Sequence, residues 1–185
     1  RACLDEAGLG TYALLRRVSN LVSIPQIIAN WMVNVKVAKD FALSNWSALQ
    51  QHANRGLKVA LPVALGMYLI LSISLPVWLS IFDIEFTFKI VIIFIILISA
   101  QLMNVLAGTN LLFAELCREE AYALKSRIFS LLVGAVIMVL GALYMGSIGI
   151  AIGTAVSVIS LNFLVLMHIK RKIGVWTSIP MFKRA

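Results

Sequence analysis

The sequence predicts an all-α integral membrane protein with about five transmembrane helices. Of its 185 residues, 61% are apolar, whereas a typical soluble domain is about 45–50% apolar. Only 13% are charged, and these charges cluster between long apolar runs. Windows of about 20 apolar residues, the length that a helix needs to cross a bilayer, occur five times along the chain.

The five predicted spans differ in polarity. The first is the most polar, since it contains two arginines and several amides, and the third is the most hydrophobic. The second contains two prolines, and we expect Pro76 to kink or locally unwind its far end. The predicted spans cover approximately residues 10–34, 57–81, 88–112, 126–145 and 148–169.

The connections between spans alternate in character. Residues 36–56 are polar and long enough for an amphipathic helix at the membrane surface. Residues 82–87 form a short acidic turn, residues 113–125 are charged, and the last connection, MGSIG, is a tight hairpin. We expect residues 1–9 to belong to an external loop and residues 170–185 to form a basic cytoplasmic tail.

The positions of Lys and Arg predict the topology. Of the 16 basic residues, four flank the first connection, three flank the third and five follow the fifth span. Because cytoplasmic loops are enriched in Lys and Arg, these connections and the C-terminus are expected in the cytoplasm. Cys3 and Cys117 would then lie on opposite sides of the membrane, so we predict no disulfide between them.

One face of the first span is polar for nearly its whole length. A helix advances about 100° per residue, so residues that share a face can be identified from their positions. Ile27 interrupts this polar stripe, and Arg17 lies about 100° away from it. The stripe consists of Arg16, Asn20, Ser23, Asn30 and Asn34, and it is widened by Ser19 and Gln26.

Two interpretations of the stripe remain open. Serine and asparagine often hydrogen-bond between membrane helices, and we favour this interpretation for Ser19, Ser23 and Asn34. Arg17 lies near enough to the external end to reach the headgroups. An arginine near the bilayer centre costs roughly 2.5–3.5 kcal/mol at the lowest estimates, so Arg16 with its neighbouring amides favours a water-filled cavity.

Two further groups of residues stand out in the apolar spans. Gln101, Asn104 and Gly108 share a face of the third span, where helix packing and a cavity are equally good interpretations. Small residues in the last two spans recur at intervals that allow two helices to approach closely, so we predict a packing role for them. These are Gly134, Gly141, Gly149, Gly153 and Ser157.

The chain contains no pattern typical of covalent catalysis or metal binding. It lacks a His/Glu constellation, a nucleophile elbow and a phosphate loop. We therefore predict no enzyme activity, cofactor or metal. The net charge is +8, and the basic residues flank the spans without forming a continuous basic face. We therefore expect no nucleic-acid partner. His52 and His168 are expected to be solvated or interfacial.

Several segments, taken in order, resemble the C-terminal part of a bacterial oligosaccharide or polysaccharide flippase. They are EAGLGTYALLRRVSNLVSIP at the first span, AQLMNVLAGTNLLFAELCREEAYALKSRI, the Gly-rich hairpin YMGSIGIAIGTAVS and the basic exit HIKRKIGVW. The resemblance is to the Wzx type within the MOP superfamily, which serves O-antigen and lipopolysaccharide biosynthesis. It covers nearly the whole chain. Since the chain begins at Arg1 without a signal peptide, we expect it to be part of a larger protein.

The resemblance implies a fold, a substrate and partners. The five helices would form most of the C-terminal bundle of a two-bundle transporter with 12 or more helices. That transporter would turn over an undecaprenyl-pyrophosphate-linked oligosaccharide, from the cytoplasmic to the outer leaflet of the bacterial inner membrane, by alternating access. Implied partners are the N-terminal bundle missing from this chain, membrane lipids, and a polysaccharide polymerase with other assembly proteins.

Anionic cargo of this kind implies a cationic cavity. We carry that role over to Arg16, with Arg17 as the second choice. Amide side chains from the first and third spans would assist them. The resulting cavity candidates are Arg16, Arg17, Asn20, Gln26, Asn30, Gln101 and Asn104.

Three other functions remain as alternatives. A cation-coupled drug or metabolite exporter of the same superfamily would need carboxylates inside the spans, and this chain has none in the middle of any span. A membrane enzyme of glycolipid assembly would need acidic metal ligands or a base near the interface, where Asp83 and Glu85 lie on a short turn. A structural five-span protein would carry no cargo.

Overall fold

The computed structural model describes residues 6–178, and within that range the chain is helical and contains no strand. Five helical segments are long and apolar enough to cross a membrane, which confirms the predicted all-α fold with five spans and indicates a membrane-embedded protein. The helices are α1 (Glu6–Asn20), α2 (Ile24–Ala42), α3 (Trp46–Ile73), α4 (Leu75–Ile81), α5 (Phe88–Leu106), α6 (Asn110–Leu116), α7 (Glu120–Met145) and α8 (Ser147–Ile173).

The first span consists of α1 and α2, joined by a 3₁₀ turn at Leu21–Ser23. Pro25 in the first turn of α2 explains this turn, because proline has no N–H to donate to the carbonyl of Leu21. Two buried apolar clusters hold the spans together, one centred on Phe94 and the other on Phe113.

The interval 36–56 differs from the separate surface helix that the sequence suggests. Helix α2 continues to Ala42 and α3 already begins at Trp46. A short turn joins the two helices, and the Asn45 side chain caps α3 by accepting a hydrogen bond from the backbone N–H of Ala48 (3.2 Å). Helix periodicity continues through this interval, with Val37 and Leu49 fully buried, so packing extends both helices beyond the apolar windows.

The expected interruption near Pro76 is present. Helix α3 ends at Ile73, and α4 begins at Leu75 with Pro76 in its first turn. The carbonyl of Ile70 accepts two hydrogen bonds at the break, one from the Ser74 hydroxyl (2.7 Å) and one from the Ser74 backbone N–H (2.9 Å).

The third span is shorter than expected, because α5 ends at Leu106 and the chain turns before α6 begins at Asn110. Gly108 has a φ of +72°, in the left-handed region that favours glycine. A Cβ at this position would also clash with the carbonyl oxygen of Thr177. Gly108 therefore lies in a turn, and not on one helical face with Gln101 and Asn104 as the sequence suggests.

Helices α7 and α8 form a hairpin with Gly146 as its turn, at φ +60°. The small residues lie at the contact between the two helices. A Cβ on Gly141 would lie 2.7 Å from the Cα of Gly149, and a Cβ on Gly134 would lie 2.5 Å from the Cβ of Ser157. A Cβ on Gly153 would meet Met138, so the sequence allows an approach that larger residues would prevent.

The C-terminal segment, residues 174–178, belongs to the stretch expected to form a basic cytoplasmic tail, and it packs against the body of the protein. Helix α8 continues to Ile173, after which Val175 and Thr177 are each 1% exposed. The Thr177 hydroxyl donates to the carbonyl of Ala107 (3.0 Å), and the Ser178 hydroxyl donates to the carbonyl of Leu106 (2.8 Å). The segment thus satisfies backbone acceptors at the end of α5. Residues 1–5 and 179–185 lie outside the described residues.

Candidate functional site

Three of the cavity candidates lie on the exposed side of the first span. Arg16, Arg17 and Asn20 are exposed, and neither arginine side chain hydrogen-bonds to any described residue. The Gln101 amide N–H donates to Oδ1 of Asn20 (2.8 Å), which links α1 to α5. Arg16 lies one helical turn before Asn20, so this linked amide pair stands beside it.

Three further candidates, Gln26, Asn30 and Asn104, meet in a cavity of about 240 Å³, which we call the amide pocket. It lies where α2 passes the turn between α5 and α6. Arg16, Arg17, Asn20 and Gln101 do not line it. The lining residues are Ser23, Gln26, Ile27, Asn30, Asn104, Thr109 and Leu111.

The amide pocket contains buried oxygen atoms without hydrogen-bond partners among the described residues. They are Oε1 of Gln26, Oδ1 of Asn30 and Oγ1 of Thr109. The Gln26 amide N–H groups point the other way, toward the carbonyl of Gly108, which accepts a hydrogen bond from Nε2. Leaving such a buried polar atom unpaired costs about 1–3 kcal/mol, so this site is unusual within the fold.

A chain of hydrogen bonds fixes how Asn104 is oriented beside the pocket. The backbone N–H of Leu111 can only donate, and it donates to Oδ1 of Asn110 (2.6 Å). Nδ2 of Asn110 then donates to Oδ1 of Asn162 (3.2 Å), and Nδ2 of Asn162 donates to Oδ1 of Asn104 (2.8 Å). The N–H groups of Asn104 are left without a partner among the described residues.

Sequence reasoning missed Asn162 and Thr109, which complete this arrangement. Asn162 is 5% exposed and carries the only amide side chain of helix α8. An isolated amide in a membrane helix is a signal in itself, since it must find a partner on another helix.

Hydrogen bonds between helices were expected at Ser19 and Ser23, and this expectation is wrong. The Ser19 hydroxyl donates to the carbonyl of Arg16 (2.9 Å), and the Ser23 hydroxyl donates to the carbonyl of Asn20 (2.7 Å). Both bonds stay within one helical turn of the same span, which is a common local use of serine. Asn34 is exposed.

Both histidines, which were expected to be solvated or interfacial, are paired with carboxylates. Nε2 of His52 lies 2.7 Å from Oδ2 of Asp40, and Nε2 of His168 lies 2.7 Å from Oε2 of Glu119. Tyr122 stacks on the His168 ring at 3.6 Å between ring centroids. These pairs join the ends of neighbouring helices at one end of the protein.

Neither metal ligands nor known relatives add to this description. The described residues contain no group of three or more His, Cys, Asp or Glu side chains placed to hold a metal ion. Comparisons with protein-family models, curated proteins and solved structures found no match to this chain.

Proposed function

We propose that the chain is one lobe of a flippase that moves an undecaprenyl-pyrophosphate-linked oligosaccharide from the cytoplasmic to the outer leaflet, for cell-surface polysaccharide synthesis. The observation that carries this proposal is the exposure of Arg16 and Arg17 within a helix that is long and apolar enough to span a membrane. Because arginine in hydrocarbon is costly, this face needs water or another polar surface opposite it. A second helical bundle enclosing a cavity would provide both.

The unpaired charge of Arg16 suits an anionic ligand. No carboxylate pairs with Arg16 among the described residues, and the linked amides of Asn20 and Gln101 stand beside it. A guanidinium group can hold phosphate oxygens with two parallel hydrogen bonds. In the proposed mechanism Arg16 holds the pyrophosphate, and Asn20 and Gln101 assist it.

Interrupted helices support a transporter over a static five-span protein. The second span breaks at Ser74 and the third breaks between Leu106 and Asn110, beside the amide pocket. Transporters commonly place their binding sites at such discontinuous helices, because these can line a cavity and move as separate pieces. The proposed cycle needs binding and rocking of two bundles, without covalent chemistry.

Glycan export in a bacterial strain that depends on this transporter tests the proposal. We expect Arg16→Ala in the full-length protein to reduce surface glycan at least about tenfold, since removing one partner of a charged hydrogen bond enclosed in the proposed cavity costs about 2 kcal/mol or more. Arg16→Lys should retain part of the activity. Arg171→Ala, which removes an exposed basic residue at the end of α8, serves as the matched control.

Export is measured at equal protein levels in the membrane. Wild-type export by Arg16→Ala at a normal protein level would show that Arg16 does not hold the cargo.

A further inference from the structure

The amide pocket concentrates unpaired polar atoms as no other part of the described chain does. Six buried side-chain nitrogen or oxygen atoms lack a hydrogen-bond partner among the described residues, and three of them line this pocket. The residues carrying two of these three atoms are well enclosed, since Gln26 is 8% exposed and Thr109 is 2% exposed. All three atoms are oxygens that can accept hydrogen bonds.

The orientation of the Gln26 side chain follows from its surroundings. Its amide N–H donates to the carbonyl of Gly108. A flipped amide would set two carbonyl oxygens against each other, so Oε1 must face away from Gly108. The pocket also has a donor, because the hydrogen-bond chain through Asn162 leaves the N–H groups of Asn104 without a partner among the described residues.

The charge and size of the pocket exclude several classes of ligand. No Lys, Arg, Asp or Glu is among the described residues that line it. Unpaired carbonyl oxygens repel an anion, and a divalent cation would call for carboxylates. A bare monovalent cation would leave the donor of Asn104 unpaired and fill little of the roughly 240 Å³. Hydroxyl groups both donate and accept, so several of them on one small molecule satisfy all of these atoms.

We propose that the amide pocket binds a neutral, hydroxyl-rich group with the chemistry of one sugar ring, and that it excludes phosphate. This assignment rests on the proposed function, because the sugar would belong to the cargo whose pyrophosphate Arg16 holds. Ser23 at the pocket lies seven residues after Arg16, or about 10 Å along the helix axis. The two sites therefore take different parts of one extended ligand.

Thermal unfolding of the purified full chain in detergent tests this proposal, with tryptophan fluorescence as the signal. The probes are glucose and N-acetylglucosamine, sodium pyrophosphate, and sodium chloride against choline chloride. The pocket variants are Thr109→Val, which keeps the side-chain shape, and Asn30→Leu. Ser130→Ala is the matched control, since Oγ of Ser130 is also buried and unpartnered among the described residues but does not line the pocket.

We expect a neutral sugar to raise the unfolding temperature saturably, by roughly 3–6 °C at a tenfold excess over its dissociation constant. Wild type, Ser130→Ala and Arg16→Ala should show this rise, and both pocket variants should lose it. Thr109→Val should be no less stable than wild type without ligand, because it removes an unpaired hydroxyl. Its loss of response would then reflect lost binding and not unfolding.

Three outcomes would overturn the assignment. The first is that neither sugar stabilises the wild type, and the second is that the stabilisation persists in both pocket variants. The third is that sodium stabilises the wild type and that this effect disappears in the pocket variants. Stabilisation by pyrophosphate reports on the other site, and we expect only Arg16→Ala to lose it. The absence of a pyrophosphate response in wild type would contradict the proposed function, whereas the binding of a sugar ring at the amide pocket is decided by the sugar response alone.

Discussion

At the scale of single residues, Cys117 shows how the local environment controls reactivity. The thiol lies buried at the end of α6, and burial, followed by the negative charge of Glu119, raises its pKa from 9.0 to about 11. Because the thiolate is the reactive form, the side chain should be inert near neutral pH. The folded state favours the neutral thiol, so this contribution to stability is present below about pH 9 and is lost as the pH rises toward 11.

Alkylation in a Cys3→Ser background tests this behaviour. We expect maleimide to label Cys117 slowly in the native protein at pH 7.5, and the rate to rise about tenfold per pH unit up to about pH 11, as the thiolate fraction grows. Protein unfolded in dodecyl sulfate supplies the fast reference rate. Native labelling at pH 7.5 as fast as this reference would contradict the raised pKa.

Single residues also show where sequence reasoning stops. The polar stripe placed Gln26 at the edge of the amide face, and its neighbours Asn30 and Asn104 were candidates too. The pattern could not predict that the carbonyl of Gly108 orients Gln26, because this contact joins residues 82 positions apart. Thr109 carried no signal because a lone threonine beside an apolar span is ordinary.

At the scale of helices, the close approach of α7 and α8 depends on glycines, which have no side chain, at the contact between them. We expect Gly149→Ala to destabilise the protein by roughly 1–3 kcal/mol, because the added Cβ meets the backbone of Gly141 and forces the helices apart. Gly66→Ala is the matched control, since a Cβ there meets nothing within 4 Å. Alanine in a helix interior is favoured over glycine by about 1 kcal/mol, so this control should be neutral or slightly more stable.

Unfolding in detergent with increasing dodecyl sulfate measures both variants. Equal stability of Gly149→Ala and wild type would show that the hairpin can separate without cost.

Helix boundaries were less predictable than the existence of the helices. A hydropathy window detects the part of a helix that lies in hydrocarbon, whereas α3 begins at Trp46 and α7 begins at Glu120, in polar sequence. The end of α5 is the clearest case. The predicted span continues to residue 112, and the turn forms where Gly108 meets Thr177, which only the folded chain brings together.

At the scale of the whole molecule, the positive residues predict one orientation, with the turn between α2 and α3 in the cytoplasm. We expect a membrane-impermeant maleimide applied to spheroplasts to label Thr87→Cys and to leave Ser44→Cys unlabelled, in a background without other cysteines. Both positions are exposed at turns on either side of α3 and α4, so they form a matched pair. Labelling of Ser44→Cys in sealed spheroplasts would show that the orientation is opposite to the predicted one.

The number of spans and their apolar character could be predicted from the sequence, because the length and apolarity of a segment decide whether it can cross a bilayer. The sequence could not predict that the polar residues divide between the exposed side of the first span and the amide pocket. The 3₁₀ turn at Leu21–Ser23 changes the helical phase, and it leaves Arg16 exposed while Gln26 turns into the pocket. Sequence periodicity assumes one uninterrupted helix and therefore merges the two.

The docking of residues 174–178 has a consequence for biosynthesis. The carbonyls of Leu106 and Ala107 acquire their partners from residues made 72 and 70 positions later. Until this segment has been synthesised, the two carbonyls have no partner from the chain, and water must supply their hydrogen bonds. A chain that ends before Thr177 would contain every span and would lack the two hydroxyls that pair with these carbonyls.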